Sequence, residues 1–258
     1  MYQGNKAAAL VMAAGLALAG CAGTKVIDEP VEFTPAAPLG SAQDRHAEAV
    51  LEWVIFRGGP GTWARNADWD EYLLVVRNRS ASALRVTSVT VVDSLDASLS
   101  PDNDRKRLVK ASRENGKRYK DARVTVKAGA SGHALAAAGA LGAGVAYGAG
   151  TVVAAYGGGS ALAAGVLGGL LLGPALVVGG VVKSANQREV AQEIHRRHTG
   201  LPVEIPVGGS RPLDLFFPLA PSPRRVELRY THDDGEGVLS IDVSAALAGL
   251  HLGEEAAR

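Results

Sequence analysis

The chain has 258 residues, and its 27 basic and 26 acidic side chains give a formal net charge of +1 at pH 7. A charge so close to zero gives no global electrostatic reason to expect nucleic-acid binding. The only cysteine is Cys21, which excludes an intramolecular disulfide. Composition alone therefore disfavours a nucleic-acid partner and a disulfide framework.

The first 20 residues have the pattern of a targeting segment, with Lys6 before an apolar run over residues 7–17. The tetrapeptide Leu-Ala-Gly-Cys that ends at Cys21 resembles the lipobox of bacterial lipoproteins. The resemblance implies cleavage before Cys21 and acylation of its thiol, which anchors the chain to a membrane. Cleavage removes Lys6 and leaves 26 basic and 26 acidic side chains. An ordinary secretory signal with a coincidental cysteine is the alternative.

The residues after the lipobox bear on localisation and on the start of the fold. Ala22 follows the cysteine, and its similarity to the sorting pattern of enterobacterial lipoproteins implies the outer membrane, with the protein facing the periplasm. Residues 21–45 contain Pro30, Pro35 and Pro38 and little periodicity. This composition predicts an extended, lipidated tether.

Strand-forming segments lie in two parts of the chain, residues 46–127 and residues 200–252. Neither part has enough strands to bury a core by itself, but the two together supply roughly eight, which suits one antiparallel β-sandwich. Two small domains are the alternative. The predicted strands are residues 50–56, 72–76, 84–92, 123–127, 203–207, 213–217, 224–230 and 237–243.

Two local patterns refine this prediction. The phrase L-L-V-V-R-N-R-S followed by L-R-V-T-S-V-T-V-V-D, within residues 73–93, resembles bacterial immunoglobulin-like modules. That resemblance implies an immunoglobulin-like sandwich, although the Cys…Trp…Cys signature is missing. The second strand of the phrase is expected to bulge near Thr87 and Ser88. Residues 232–235 (H-D-D-G) predict the turn of a β-hairpin between the last two strands.

A Gly/Ala-rich segment separates the two β parts. No Asp, Glu, Lys or Arg lies between Lys127 and Lys183. Residues 134–156 and 160–182 are each long enough to cross a hydrocarbon core of roughly 30 Å as a helix. The segment 128–183 therefore predicts a membrane-embedded helical hairpin whose two ends emerge on one side. A buried soluble hairpin and a flexible insert are the alternatives, and a connecting helix is expected over residues 184–199.

Small residues recur every four positions in both halves of this segment. Residues four apart share one helix face, so a smooth ridge is available for close helix packing in lipid. The pattern resembles the glycine-zipper hairpins of bacterial envelope proteins, which implies packing within the hairpin and between copies. Chance spacing in a Gly/Ala-rich segment is the alternative. The ridge residues are Gly144, Gly148, Gly165, Gly169 and Gly173.

A run of basic residues precedes the Gly/Ala-rich segment, and only Glu114 opposes it. Basic side chains beside a membrane segment are attracted to anionic lipid phosphates, whereas a solvated loop is the alternative. The candidate lipid-phosphate contacts are Arg105, Lys106, Arg107, Lys110, Lys117 and Arg118.

Other candidate sites have structural explanations. His195 and His198 share a helix face but lack a third ligand nearby, so we expect no metal there. Trp53, Trp63 and Trp69 are expected to be buried anchors and not an aromatic ligand platform. No G-x-S-x-G, H-E-x-x-H or S-x-x-K motif is found, and no cofactor is expected.

These patterns predict a non-enzymatic lipoprotein of the cell envelope that presents a β-sandwich for envelope assembly or protein binding. Its expected partners are membrane lipid and either further copies of itself or another envelope protein, with no nucleic acid. The alternative is a periplasmic binding module or a transport or secretion accessory whose Gly/Ala insert engages a partner. A hydrolase ranks third.

Overall fold

The computed structural model describes residues 23–30, 33–129, 175–233 and 235–253, with the side chains of residues 175–184 left out. The lipidation candidate Cys21 and the five ridge glycines Gly144, Gly148, Gly165, Gly169 and Gly173 lie outside the described residues. In chain order the elements are β1 (Lys25–Val26), β2 (Gly40–Gln43), β3 (Ala47–Ile55), β4 (Ala64–Arg65), β5 (Trp69–Asn78), β6 (Leu84–Val92), β7 (Ser98–Leu99), α1 (Arg105–Asp121), α2 (Ala175–Arg197), β8 (Val203–Ile205), β9 (Ser210–Pro218), β10 (Arg225–His232) and β11 (Gly235–Asp242).

The fold is mainly β, with antiparallel sheets arranged like a sandwich. One sheet has the strand order β2-β3-β5-β9, and the other has the order β11-β10-β6-β7 with β8 also paired to β6. The short strands β1 and β4 pair separately. Strands β5 and β6 precede the Gly/Ala-rich segment, and they pair with β9 and β10, which follow it. The two β parts of the chain therefore share both sheets.

The main core lies between the two sheets and follows from the alternation of side chains along each strand. On β5, Tyr72, Leu74 and Val76 are buried, and on β6 Val89 and Val91 are buried in the same cluster. All five are at most 1% exposed. Burying this apolar surface is the main favourable term for folding.

Two details of the predicted sheet are confirmed. Ser88 pairs with Arg229 and Val86 pairs with Tyr230, so Thr87 is the extra residue of a β-bulge. Strands β10 and β11 form the predicted hairpin, with His232 paired to Gly235.

Other boundaries differ from the predictions. The strand predicted over residues 123–127 is wrong, because this stretch contributes only an isolated bridge from Val126 to Leu252. The segment expected to be a tether contributes β1 and β2, since both find strand partners further along the chain. The basic run forms the helix α1 and not a loop. Helix α2 is continuous from the end of the predicted second span through most of the predicted connecting helix.

Neither helix of the described chain combines the length and apolar character needed to cross a bilayer. Both instead contact the protein. A second apolar cluster lies on the outer face of the β2-β3-β5-β9 sheet, where the helices cover it. Its members are Trp63, Ala64, Ala67, Trp69, Leu108, Val190, Ile194 and Phe216. The prediction that the tryptophans are buried is confirmed, since Trp53, Trp63 and Trp69 are 2%, 6% and 2% exposed.

Candidate functional site

Helix α1 begins at a well-formed cap. The side chain of Asp104 accepts hydrogen bonds from the backbone N–H groups of Lys106 (2.7 Å) and Arg107 (3.0 Å). Asp104 is therefore the N-cap residue of α1. Arg118 and Lys120 lie in the last turn, where cations interact favourably with the helix dipole.

The buried face of α1 is largely polar. Leu108, Ser112, Asn115 and Tyr119 are spaced by four, three and four residues, which places them on one face. Ser112 Oγ accepts the backbone N–H of Leu219 at 2.9 Å, and Asn115 Nδ2 donates to the Leu219 carbonyl at 2.7 Å. The helix is therefore attached through specific hydrogen bonds as well as apolar contact.

The opposite face of α1 carries a cationic stripe. Each member precedes a buried residue by two positions, which corresponds to about 200° around the helix axis. All four side chains belong to exposed residues. We call this set the cationic stripe: Lys106, Lys110, Arg113 and Lys117.

Ion pairs divide the predicted lipid-contact residues into two groups. Arg118 pairs with the fully buried carboxylate of Asp93, so it helps to attach α1 to the domain. Arg107 pairs with Asp102 at 2.7 Å, and Lys110 lies 3.9 Å from Glu114. Across the described ranges, no salt bridge involves the other three predicted contacts, Arg105, Lys106 and Lys117, or the neighbouring Arg113.

Two clefts flank the cationic stripe. The larger one has a volume of about 890 Å³ and is lined by Gly23 and Gln187 among others. The second has a volume of about 710 Å³ and is lined by Ala128. Arg113 and Lys117 line both clefts. Gly23 is two residues from Cys21, Ala128 is where the Gly/Ala-rich segment begins, and Gln187 lies on the helix that leaves it. The three points therefore converge around one basic surface.

A buried histidine fixes the chain at the start of the Gly/Ala-rich segment. His251 Nδ1 accepts the backbone N–H of Gly129 at 3.0 Å, so Nε2 carries the proton that is donated to Asp70 Oδ2 at 2.7 Å. Both side chains are fully buried. The backbone N–H of Lys127 also donates to the carbonyl of His251 at 2.9 Å. We call this arrangement the first anchor.

A buried carboxylate fixes the chain after the segment. Glu71 is 1% exposed and accepts hydrogen bonds from Trp63 Nε1 and Arg197 Nε, each at 2.7 Å. The Arg197 guanidinium also lies 5.4 Å from the centre of the Trp63 ring, a cation–π distance. Burial raises the pKa of Glu71, while Arg197 and Trp63 oppose that rise. We call this arrangement the second anchor.

Of the side chains that form the two anchors, the sequence analysis pointed to Trp63 alone, and only as a buried aromatic residue. The available signal was the pair Asp70 and Glu71 inside an otherwise apolar strand, W-D-E-Y-L-L-V-V. The side chains of adjacent strand residues point to opposite faces of the sheet. Asp70 therefore faces the core, near Tyr72, whereas Glu71 faces α2.

His195 lies in the last turn of α2, and His198 follows the end of this helix. His195 Nδ1 lies 3.5 Å from Asn103 Nδ2. His198 packs on Phe216 with ring centres 6.2 Å apart, and burial lowers the pKa of His198. Among the residues that the structure describes, no group of His, Cys, Asp and Glu is placed to hold a metal ion.

The described chain is thus a mainly β, sandwich-like protein with two helices on the outer face of one sheet and a basic surface where the flanks of the Gly/Ala-rich segment meet the N-terminal segment. No protein-family model, no curated protein and no solved structure matches it.

Proposed function

We propose that this protein is a non-enzymatic lipoprotein of the cell envelope, attached to the outer membrane by acylated Cys21 and by a Gly/Ala-rich helical hairpin. Its sandwich, which we propose to be immunoglobulin-like, faces the periplasm and serves envelope assembly or protein binding. Packing through Gly165, Gly169 and Gly173 joins copies of the chain or an envelope protein partner.

One observation supports this function above the alternatives. Gly23, which is the described residue nearest to Cys21, and the flanks of the Gly/Ala-rich segment, Ala128 and Gln187, line clefts around the same two cations, Arg113 and Lys117. A protein held by two independent membrane attachments needs both to leave from one side. The basic surface between them suits an anionic headgroup region.

The same geometry defines what the protein offers to a partner. The helices and clefts lie on the outer face of the β2-β3-β5-β9 sheet. If that face is turned to the membrane, the outer face of the β11-β10-β6-β7 sheet is turned away from it. We therefore propose the second sheet as the surface presented to the periplasm.

The anchoring part of the proposal is tested by Cys21→Ser. The substitution is expected to abolish incorporation of a fatty-acid analogue and to leave an uncleaved precursor, because the chain has no other thiol. Metabolic labelling followed by gel electrophoresis measures both effects.

The matched control is Cys21→Ser combined with Ser41→Cys, which restores an exposed thiol on β2 outside the lipobox. We expect no label on this double variant, since acylation depends on the lipobox position. Normal labelling of the Cys21→Ser chain would contradict the lipoprotein proposal.

A further inference from the structure

The larger cleft has the charge of an anion-binding site. Four of the cations that line it, Arg105, Lys106, Arg113 and Lys117, form no salt bridge within the described residues. Both ammonium and guanidinium groups attract phosphate, and guanidinium adds paired donors that match two phosphate oxygens.

The carboxylates that line this cleft are already compensated. Asp68 is paired with Arg57, whose Nε also donates to the carbonyl of Ala67 at 2.7 Å. Glu114 lies 3.9 Å from Lys110. Neither carboxylate therefore cancels the four remaining cations, and the cleft keeps an excess of positive charge.

The residues that line the cleft opposite α1 indicate which anion binds there. They include Gly23 and Thr24, and Thr24 Oγ1 is held by the carbonyl of Asn66 at 3.3 Å. Two residues of extended chain span about 7 Å, so an acyl chain on Cys21 would enter the bilayer beside the mouth of the cleft. Tethering of this kind raises the local concentration of lipid headgroups far above that of soluble anions.

We propose that the cleft between α1 and residues 23–24 binds the phosphate of an anionic phospholipid headgroup, with Arg113 and Lys117 as its principal contacts. The inference rests on the proposed function, because lipid reaches the cleft through the anchor at Cys21. Binding at this site orients the sandwich on the membrane, which acyl chains alone do not do.

The test uses the full-length protein purified in mild detergent and native mass spectrometry of its lipid adducts. Phosphatidylglycerol and phosphatidylcholine are supplied at equal concentration. Wild type is expected to retain phosphatidylglycerol in clear excess. Arg113→Gln combined with Lys117→Gln should lower that adduct about 25-fold, since each basic residue near an anionic lipid surface contributes roughly a fivefold effect.

The control removes two cations from the opposite sheet. Arg85→Gln combined with Arg229→Gln changes exposed residues on β6 and β10, and should leave the adduct unchanged. Equal retention of both lipids by wild type, or an equal loss in the control, would overturn the proposal. Displacement of phosphatidylglycerol by millimolar inorganic phosphate would reassign the cleft to a soluble anion and overturn the lipid assignment.

These failures are distinguishable from a failure of the proposed function. The Arg113 and Lys117 variants keep Cys21, so their fatty-acid labelling reports on anchoring independently of adduct formation. A labelled, membrane-retained protein without lipid preference refutes the cleft alone, whereas an unlabelled wild type refutes the anchor.

Discussion

The carboxylate of Glu71 shows how a single buried charge is stabilised in this protein. It is 1% exposed, and desolvation makes an unpaired charge at such a position costly. Arg197 compensates it with a charge and a hydrogen bond, and Trp63 adds a second hydrogen bond. Removing either partner should therefore cost more than the loss of an exposed ion pair.

We expect Arg197→Met to lower the free energy of unfolding by about 2–3 kcal/mol at pH 7, because it leaves the Glu71 carboxylate uncompensated under α2. The effect should depend on pH. Burial already raises the folded-state pKa of Glu71 above 4.5, and loss of Arg197 raises it further. A group whose pKa is higher in the folded state stabilises the protein when the pH is below its unfolded-state pKa. That stabilisation is lost as the pH rises through its folded-state pKa. The deficit should therefore shrink toward pH 4, as measured by urea unfolding followed by tryptophan fluorescence.

The control for this prediction is the neighbouring Arg196→Met. Arg196 pairs with Glu193, but its side chain is 70% exposed and the pair is screened by solvent, so we expect no measurable change in stability at either pH. A deficit for Arg197→Met that is the same at pH 4 and pH 7 would show that lost packing, and not an uncompensated charge, causes it.

The sequence could not predict this pair or the buried His251. Glu71 and Arg197 are 126 residues apart, and His251 and Asp70 are 181 apart. Local periodicity contains no information on contacts at such separations. A charged pair inside an apolar strand does indicate that partners are needed, but it does not identify them.

At the scale of the elements, local patterns predicted most of the strands and failed for α1. Alternation marked β6, β10 and the bulge at Thr87, since a two-residue period is visible within a few positions. In α1 the buried face includes Ser112, Asn115 and Tyr119, so there was no apolar stripe to reveal the helix. The usable signal was the capping residue Asp104.

The polar attachment of α1 can be tested at Asn115. We expect Asn115→Ala to lower the free energy of unfolding by about 1–3 kcal/mol, because the Leu219 carbonyl would lose its buried donor. The backbone amides of α1 should also lose protection in hydrogen exchange. Urea unfolding and hydrogen–deuterium exchange measure the two effects.

Glu114→Ala on the exposed side of the same helix is the matched control, and we expect it to change stability by less than about 0.5 kcal/mol. If Asn115→Ala were equally neutral, the hydrogen bond from Asn115 to Leu219 would contribute nothing to the attachment of α1. The cost of burying the unpartnered Oδ1 of Asn115 would then explain the result, because it offsets the hydrogen bond that Nδ2 donates.

In the molecule as a whole, one strand fixes both flanks of the Gly/Ala-rich segment. Asp70 and Glu71 are adjacent on β5. Asp70 binds His251 of the first anchor on the core side of the sheet, and Glu71 binds Arg197 of the second anchor on its outer side. The sequence predicted that both flanks meet one sandwich, since strands of both β parts were needed for a core. It did not predict that α2 packs on that sandwich, because residues 184–199 were expected only to connect two parts of the chain. In the structure Val190 and Ile194 of this helix are buried in the second apolar cluster.

This packing gives different expectations for two deletions. Replacing residues 130–184 with a flexible Gly/Ser linker of about 12 residues, whose ends lie about 20 Å apart on average, keeps both anchors. We expect that variant, made without residues 1–20, to unfold cooperatively. Replacing residues 130–199 instead keeps the first anchor but removes Val190, Ile194 and Arg197, and so uncovers Trp63 and leaves Glu71 uncompensated.

The two variants can be compared by urea unfolding and by size-exclusion chromatography. The longer deletion should be less stable by several kcal/mol, since it loses two buried aliphatic side chains, each contributing about 1.5–3 kcal/mol, and one buried ion pair. It should also self-associate through the uncovered face. Equal stability of the two variants would mean that the contact between α2 and the sheet does not stabilise the protein. The β-domain would then end at the first anchor and resume after residue 199. Failure of the shorter deletion to fold would instead make the Gly/Ala-rich segment a part of the core.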